Sequence, residues 1–445
     1  MREYVNANET LRDNDRDTVM AAIRLAVEDG CRKVVIPRYN ARTKEMKWSF
    51  LKAVELPSRF TLILDNCFLE QAPGSYDHLI TNERSHDDDY MNDPANEAHD
   101  IAVLGEGNVI LSGGEHNHLL EKTARKYGLL SMWYQPILFW RNVNGLRVEN
   151  LHVRNQRWWA ITHIMTRNAV LKNIDFYAIP HVPNLDGIDL RIGCNHFHIE
   201  NITGRTGDDL VAFTALKGKG EVTMMVPGRD TGIHDVTVKN LKGDSNTCYP
   251  LRLLNHDGNE ICHIDVDTIM DSSDPTSRVR SGAALSIGSP FYYSVSQAVM
   301  GDTRDIRVKN VYSRGNQAVI LNHVLKDTAI SNVHTFSDNL NGVFTMPDGC
   351  ELQNVSVDHL YCGSEQPRND DGTKITKEEF VGTAVDMQKM KGTLRVSHLE
   401  TGEIGTGILV RGGGTVIAED AVFGSVRAEV VRDEASGVWL NGEKR

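Results

Sequence analysis

A short pattern of apolar and polar positions recurs along the middle of the chain. Each copy has an apolar residue, a polar residue, an Asn and a second apolar residue, and the copies are Val148–Leu151, Leu171–Ile174, Ile199–Ile202, Val238–Leu241, Val308–Val311, Ile330–Val333 and Leu352–Val355. Most successive copies follow one another at a spacing of roughly 20 to 25 residues, which with one Asn per turn predicts stacked β coils. We interpret the long step from Asn240 to Asn310 as roughly three coils, with a degenerate copy at 264–267, and the other longer steps leave room for loops.

Leucine-rich repeats share this repeat length, but their leucine pattern is absent here. β-Branched residues dominate the copies, and no helical stripe recurs between them. Stacked β coils therefore fit the pattern better than strand–helix repeats. At a bend between two strands of one coil, an Asn can adopt the left-handed conformation and hydrogen-bond to the same Asn of the next coil. We therefore assign these asparagines a structural role.

The N-terminal segment has a different period. Asp13, Asn14 and Asp15 precede apolar residues at 19, 22, 23 and 26, a helical spacing, and 34–37 then reads as a buried strand. A helix here would cap the open end of a solenoid, which otherwise offers unpaired strand edges. We expect one domain, with a cap at about 10–40, coils at about 41–430 and closing strands after them. Polar loops are predicted at 84–98 and 364–378.

Composition and charge narrow the range of partners. The chain has 445 residues, is 40% hydrophobic and carries a formal net charge of −12, which disfavours nucleic acid and anionic membranes as partners. No apolar stretch approaches the ~20 residues of a membrane span. The seven cysteines are scattered without metal spacing, which argues against a disulfide framework, and we expect no metal and no cofactor. The first residues hold no apolar run, so we expect no signal peptide and a cytoplasmic location. The oligomeric state is left open.

Two acidic motifs lie about one coil apart. Asp186 is followed by Gly187, and the pair Asp208 and Asp209 comes at the corresponding position of the following coil. Residues one coil apart stack on neighbouring parallel strands, which are ~4.8 Å apart. The spacing therefore predicts three carboxylates on one surface, as glycoside hydrolysis requires: one carboxyl stays protonated and another is ionised. Taken singly, each motif is also consistent with an ordinary turn.

At this point the chain resembles the polygalacturonases of glycoside hydrolase family 28 and the wider pectin-active right-handed β-helix proteins. The resemblance covers most of residues 10 to 360. It rests on the capping segment, on the glycine-rich coil at 101–114, on Asn184-Leu185-Asp186 and on Gly207-Asp208-Asp209. It implies a single-stranded right-handed parallel β-helix, and hydrolysis of galacturonan-type bonds with inversion and without a metal. By the same resemblance, Asp208 is the general acid, and Asp186 and Asp209 hold and activate the water.

Two family motifs are missing. Where the family has Gly-His-Gly, this chain reads 247–250 as Thr-Cys-Tyr-Pro, with no His. Where the family has Arg-x-Lys, which grips the substrate carboxylate, residues 281–288 contain no cation. The half of the site that reads the substrate carboxylate is therefore lost or rebuilt. This favours a glycosidase acting on something other than plain polygalacturonate, or a protein that has lost activity.

Seven residues are candidates for substrate binding: Trp158, Trp159, His163, His181, Asn184, Arg252 and His256. Alternation along a strand predicts one Trp of the pair facing a cleft, where it can stack on a sugar, and the other facing the core. The alternative is that both are core residues and that each His is a satisfied or solvated one. Arg252 either points outward to an anionic group or inward to a buried partner.

The sequence therefore predicts a glycoside hydrolase acting on a plant-type or uronate-related oligosaccharide by acid–base catalysis, with inversion. A cytoplasmic location would favour exo-action on short chains, and loops 84–98 and 215–232 would close one end of the groove. Two alternatives stay open: a polysaccharide lyase or epimerase on the same fold, which would need a Lys, Arg or Tyr base, and a non-catalytic carbohydrate-binding β-helix.

Overall fold

The structure is a computed structural model that describes residues 2–114, 135–179, 183–274, 277, 279–289, 294–336, 341–346, 348–363 and 376–445. By contact density the chain divides into two compact units. The first unit contains Met1–Asp208 and Gly218–Thr231, and the second contains Asp209–Lys217 and Gly232–Arg445. The expectation of a single domain stays a prediction.

The first unit is built from short strands and two kinds of helix. Its strands are β1 (Val5–Asn6), β2 (Lys33–Pro37), β3 (Trp48–Phe50), β4 (Val54–Leu56), β5 (Phe60–Asp65), β6 (Phe68–Gln71), β7 (Ile80–Asn82), β8 (Ala98–Glu106), β9 (Ile110–Ser112), β10 (Leu138–Arg141), β11 (Val143–Arg154), β12 (Ile161–Ile164), β13 (Arg167–Tyr177), β14 (Ile188–Leu190) and β15 (Asn195–Arg205). Its α-helices are α1 (Asp15–Glu28), α2 (Asp88–Met91) and α3 (Lys219–Thr223), and its 3₁₀ turns are Ala7–Thr10 and Pro94–Asn96.

Strands of the first unit pair in parallel with the strand one coil away. The short strands pair in the order β4–β7–β10–β12–β14. The long strands bend, so that the two halves of one strand belong to two faces of the coil. In β11, Val143–Glu149 pairs with β8, and His152–Arg154 pairs with β9. Each complete coil therefore has three faces, with a bend in the middle of its long strand.

The second unit repeats this plan. Its strands are β16 (Val211–Ala215), β17 (Ile233–Asp244), β18 (Leu251–Asn255), β19 (Ile261–Asp271), β20 (Ala283–Ile287), β21 (Thr303–Ser313), β22 (Gln317–Leu321), β23 (His323–Thr335), β24 (Asn341–Phe344), β25 (Cys350–Cys362), β26 (Thr383–Gln388), β27 (Met390–Thr401), β28 (Ile404–Arg411), β29 (Thr415–Glu419), β30 (Val422–Phe423), β31 (Val426–Arg432), β32 (Gly437–Leu440) and β33 (Glu443–Lys444), with a 3₁₀ turn at Lys377–Glu379.

Pairing in the second unit is parallel until its last strand. The short strands run in the order β16–β18–β20–β22–β24–β26–β28–β31. The long strands run from β17 to β27 by odd numbers and continue through β29 to β32. β33 turns back antiparallel onto β32 and ends the ladder. The predicted right-handed parallel β-helix is confirmed for the chain.

The core of each unit is a set of columns of aliphatic side chains. In the first unit Val148, Leu171 and Ile199 are in register on successive coils, and all three are fully buried. The columns form because alternate residues of a strand point inward, and parallel strands in register stack like on like. Burying one such side chain contributes roughly 1.5–3 kcal/mol, an upper estimate because the unfolded chain is already partly compact.

Helix α1 covers the first coils, as predicted. The side chain of Asn14 accepts a hydrogen bond from the backbone N–H of Asp17 and starts the helix. Val19, Ala22, Ile23 and Ala26 are its buried stripe, which packs against β2, β3 and β4. The apolar spacing of the sequence therefore located the cap within a few residues.

The predicted asparagine ladder is confirmed. Asn150, Asn173 and Asn201 sit at the bends of successive long strands with φ of 62°, 56° and 56°. The amide of Asn173 donates to the Oδ1 of Asn150 over 2.8 Å, and that of Asn201 donates to Asn173 over 2.9 Å. In the second unit Asn332 donates in the same way to Asn310 over 3.0 Å. The bends are thus held by side-chain bonds that run from coil to coil.

Two details of the predicted repeat are wrong. Strand register places Thr268 at the position of Asn240 and Asn310, so the long step between these asparagines covers two coils instead of roughly three. Asn354 occupies a different bend, because its amide donates to Asp327 over 2.7 Å. The residue one coil beyond Asn332 is His359, since Ser331 pairs with Asp358.

The predicted loop at 84–98 is more ordered than expected. It contains α2 and a 3₁₀ turn, and Asp88 forms an ion pair of 2.6 Å with the buried Arg141. Most of the loop at 364–378 lies outside the described residues. Among the helices of the described ranges, none is long and apolar enough to span a membrane.

Candidate active site

Backbone hydrogen bonds of the first unit put the two acidic motifs on neighbouring coils. The N–H of Ala160 donates to the carbonyl of Asp186 over 3.0 Å, and the N–H of Gly207 donates to the carbonyl of Leu185 over 3.1 Å. The turn before β12, the turn before β14 and the Gly207-Asp208 turn are therefore consecutive layers. The prediction that Asp186 and Asp208 lie one coil apart is confirmed at the level of the backbone.

Asp208 is the accessible carboxylate of the motifs. It is half-buried, and its Oδ2 accepts the backbone N–H of Asn184 over 2.9 Å. Asn184 itself adopts φ of 61°, which explains why an Asn stands at this turn. The hydroxyl of Thr206 donates to the carbonyl of Asp208 over 2.6 Å and closes the turn from the other side. Asp208 is thus held beside the segment that carries Asp186.

Asp186 lies deeper. Only 2% of the residue is exposed. The amide of Gln156 donates to the carbonyls of Leu185 and Asp186 over 3.2 and 3.3 Å, so the backbone on which Asp186 stands is fixed from the coil before it. The side chain of Asp186 is therefore less exposed than that of Asp208.

Asp209 departs from the prediction. In the second unit it is fully buried, accepts the N–H of Tyr249 over 3.0 Å and forms an ion pair of 2.8 Å with the Nε of Arg252. The expectation that Asp209 shares an accessible surface with the other two acids is therefore wrong.

Arg252, the partner of Asp209, is a second predicted site residue whose surroundings differ from the prediction. Arg252, the candidate for gripping an anionic substrate, is paired instead with the buried carboxylate of Asp209, and 15% of its side chain is exposed. Burial, together with the negative charge of Asp209, raises the pKa of Tyr249 to about 12. This phenol therefore stays neutral at physiological pH.

Both tryptophans are core residues. Trp158 and Trp159 are 3% and 7% exposed, with ring centroids 5.7 Å apart, inside a buried cluster that includes Phe139 and Ile192. The expectation that one of them faces a cleft is wrong. Strand alternation does not apply to them, because they lie between the end of β11 and the start of β12 and not on a strand.

Two of the three candidate histidines are also buried. His163 is fully buried, its Nδ1 is 3.1 Å from the carbonyl oxygen of Asp189, and burial lowers its pKa to about 4. His256 is fully buried, and its Nδ1 accepts the N–H of Ala298 over 3.0 Å. The prediction that these two residues contact a substrate is wrong. The third, His181, lies outside the described residues.

Sequence reasoning missed a buried polar network on the coil that carries Asp186. Arg191 follows β14, and its Nη2 lies 2.5 Å from Glu221 of α3, while its guanidinium stacks 4.4 Å from the ring of Trp159. Arg191 and Glu221 are 5% and 3% exposed. The sequence signal was only a charged residue, Arg191, directly after a short strand. It was weak because the partner, Glu221, lies on a distant segment of the chain.

The network ties α3 to the end of β14, and other bonds join α3 and Arg229 to the loop at 84–98 and to the neighbouring coils. The amide of Asn92 donates to the carbonyl of Thr223 over 2.9 Å, and Arg229 donates to Asn142 over 2.7 Å and pairs with Glu97 at 2.5 Å. Arg167 forms a second ion pair with Glu97 at 2.8 Å. The two segments predicted to flank the groove are therefore held together in the first unit.

Comparisons with known proteins agree with the fold. No protein-family model and no curated protein matches the chain. Among solved structures it is similar to a double mutant of the tailspike protein of E. coli bacteriophage HK620, with a TM-score of 0.56 and 11% identity, covering 98% of this chain and 80% of that one. A single mutant of this tailspike in complex with a pentasaccharide gives a TM-score of 0.53 at 11% identity over the same shares. The hyperthermoactive exopolygalacturonase from Thermotoga maritima gives 0.48 at 13% identity, covering 100% of this chain and 93% of that one.

The similarity to the tailspike shows the fold. A family 28 exopolygalacturonase from Yersinia enterocolitica is also among the similar solved structures, with a TM-score of 0.46 at 13% identity.

Proposed function

We propose that this protein is a carbohydrate-active β-helix that hydrolyses a glycosidic bond by acid–base catalysis, with Asp208 as the general acid. The observation that carries the proposal is the stacking of a half-exposed Asp208 on the coil next to a deeply placed Asp186. Asp208 can contact the leaving oxygen of a bound sugar. We assign to Asp186 the second role, which is to orient and deprotonate the attacking water.

In the reaction, a proton passes from the carboxyl of Asp208 to the glycosidic oxygen as the bond to the anomeric carbon breaks. The ionised Asp186 takes a proton from the water that attacks this carbon from the opposite side, so the anomeric configuration inverts. No metal enters the scheme. The scheme does not use Asp209, whose carboxylate pairs with Arg252.

We further propose that the substrate is an oligosaccharide cut from one end. The bonds that join 84–98 to Thr223 and Arg229 support this, because two segments fixed to each other can close one end of a groove. The HK620 tailspike has the same fold and was solved in complex with a pentasaccharide, which supports an oligosaccharide as the ligand. A plant-type or uronate-related sugar remains our preferred class.

One observation favours a second candidate function. Asp186 and Asp209 are almost fully buried, and a carbohydrate-binding β-helix without catalysis would need neither of them to be accessible. The two candidates differ in turnover. The test is to incubate the protein with a panel of neutral and uronate-containing oligosaccharides and to follow the anomeric protons by NMR. Cleavage that first yields the inverted anomer supports the hydrolase, whereas saturable binding without any cleavage supports the binding protein.

A further inference from the structure

Three titratable residues occupy the same bend on three consecutive coils near the end of the second unit. Ser397 pairs with Asp358 and with Glu419, so the residues that follow them, His359, His398 and Asp420, stack on one another. Their φ angles are 53°, 51° and 52°. Earlier coils hold asparagines at this bend, so this part of the chain replaces a neutral amide column with imidazoles and a carboxylate.

One carboxylate orients both imidazoles. Asp358 accepts the Nδ1–H of His359 through one oxygen and that of His398 through the other, each over 2.8 Å. The hydroxyl of Ser397 donates to the same carboxylate over 2.6 Å. An Nδ1 engaged in this way leaves Nε2 to act as a ligand, the arrangement that supports histidines bound to metals in proteins.

The two rings present their Nε2 atoms on one side. They are stacked with centroids 4.3 Å apart and an interplanar angle of 19°, and both Nδ1 atoms point to Asp358. Both Nε2 atoms therefore point away from it together. The Nε2 of His398 is 3.7 Å from the Oδ2 of Asp420 on the next coil. Ligands of a tetrahedral zinc ion, at ~2.0–2.1 Å from the metal, are ~3.3 Å apart. His398 and Asp420 are close to this spacing, whereas His359, two coils from Asp420, has to turn its exposed ring toward them.

The surroundings favour a cation. The three residues line a cavity of about 520 Å³, together with Glu400 and Tyr361. Asp358, Glu400 and Asp420 give this surface three carboxylates, which attract a positive ion. Imidazole nitrogen with carboxylate oxygen is a donor set that suits zinc and neighbouring divalent transition metals.

We propose that His359, His398 and Asp420 bind a divalent cation of the zinc class through two Nε2 atoms and one carboxylate, with Asp358 as the positioning residue. The ion would join three successive coils at the bend between their strands. In a solenoid each coil contacts only its neighbours, so the end coils separate most easily, and a ligand that binds only the folded state stabilises it. The site is distinct from Asp208 and does not depend on the proposed hydrolysis.

The test is zinc binding at pH 7.5 by isothermal titration calorimetry on chelator-treated full-length chain. The variants are His398→Gln, Asp420→Asn and Asp358→Asn, with His152→Gln as the matched control, because His152 is a half-exposed His that faces a single carboxylate, Asp175. We expect His398→Gln to lose about one equivalent of zinc, and Asp358→Asn to weaken that equivalent by roughly 10- to 100-fold. The control should bind like the unaltered protein.

A second readout is thermal unfolding. Saturating zinc should raise the unfolding temperature of the unaltered protein and of His152→Gln, but have a smaller effect on His398→Gln and Asp420→Asn. The side chains are exposed, so the variants are expected to fold, which circular dichroism checks. Equal zinc stoichiometry and affinity in the unaltered protein and His398→Gln would overturn the proposal and leave the cluster as a network of ion pairs around Asp358.

Discussion

The acidic turns of the first unit and the C-terminal bends of the second unit show two outcomes of the same stacking. In both, residues one coil apart along the chain become neighbours. At the acidic turns the side chains lie at different depths, Asp208 half-exposed and Asp186 nearly buried. At the C-terminal bends His359 and His398 are both more than half exposed, and one carboxylate joins them. Depth, and not proximity, therefore distinguishes a proposed proton-transfer site from a proposed cation site.

The reason for the difference is local conformation. The bends are single residues in the left-handed region, which repeat from coil to coil and project outward each time. The acidic turns are irregular segments before short strands, where the direction of each side chain is set by its own partners. Asp209 illustrates this, since it is adjacent to Asp208 and yet fully buried beside Arg252.

The largest effect is expected at Asp208. Asp208→Asn removes the acid while keeping the size of the side chain, and general acid catalysis contributes typically 10²- to 10⁴-fold, so kcat on the best oligosaccharide should fall by about that factor. Asp100→Asn is the control, because Asp100 is an exposed Asp at a bend with φ of 53°, which Asn also tolerates. Steady-state kinetics measures both. An undiminished rate in Asp208→Asn would place the acid elsewhere.

The next effect is on stability, at the buried pair. Arg252→Met leaves the carboxylate of Asp209 without its cation, and breaking a buried pair from one side costs about 3–5 kcal/mol. Arg307→Met is the matched control, because Arg307 pairs with Asp265 at 3.7 Å between exposed side chains, where ~0–1 kcal/mol is expected. Urea unfolding measures both variants. Similar small losses would mean that Asp209 is not held as a buried charge.

A smaller effect is a pH dependence that arises from His163. Its folded pKa of about 4 lies below the ordinary value of 6.5, so the unfolded chain binds the proton more readily. The stabilisation is present above pH 6.5 and is lost as the pH falls from 6.5 towards 4, by about 1.4 kcal/mol per pH unit. His163→Gln should flatten the dependence of unfolding free energy on pH in this window by that slope. Parallel curves for the two proteins would show that His163 is accessible to protons in the folded state.

The smallest effect is expected in the asparagine column. Asn332→Ala removes the bond to Asn310 and places a Cβ-bearing residue without a local hydrogen bond at φ of 56°. A loss of about 1–3 kcal/mol is expected from the hydrogen bond and the conformational penalty together. Asn332→Gly removes the bond but tolerates the angle, so it should lose less. If the two variants unfold at the same urea concentration, the backbone angle does not contribute.

Much of the fold was predictable from the sequence because a solenoid repeats its local signals. A few adjacent residues determine each of these signals: the Asn at a bend, the alternation of apolar residues in a strand, and helix α1. Spacing alone could not place Asn354 or give the number of coils between Asn240 and Asn310. A loop inside a coil changes the number of residues in that coil without changing the strand register.

The site was less predictable. The spacing correctly put Asp186 and Asp208 on neighbouring coils, but it carried no information on which side chains point inward. Burial is possible for Trp158, Trp159, His163 and His256 because these side chains are apolar or only weakly polar. The tryptophans pack in a cluster with residues of other coils, and each His has its hydrogen-bond partner on another segment. Likewise Arg191 and Glu221 meet only when α3 folds back, and the His359–His398 column becomes visible only once the register is known.

The most direct test of the central claim compares two substrates on Asp208→Asn and Asp186→Asn. An aryl glycoside with a dinitrophenol leaving group needs no proton, whereas an unactivated oligosaccharide of the same sugar needs one. If Asp208 is the acid, Asp208→Asn should lose hydrolysis of the oligosaccharide but keep that of the aryl glycoside, while Asp186→Asn should lose both. Equal loss on both substrates in Asp208→Asn, or no loss on either, would contradict the assignment of Asp208 as the general acid.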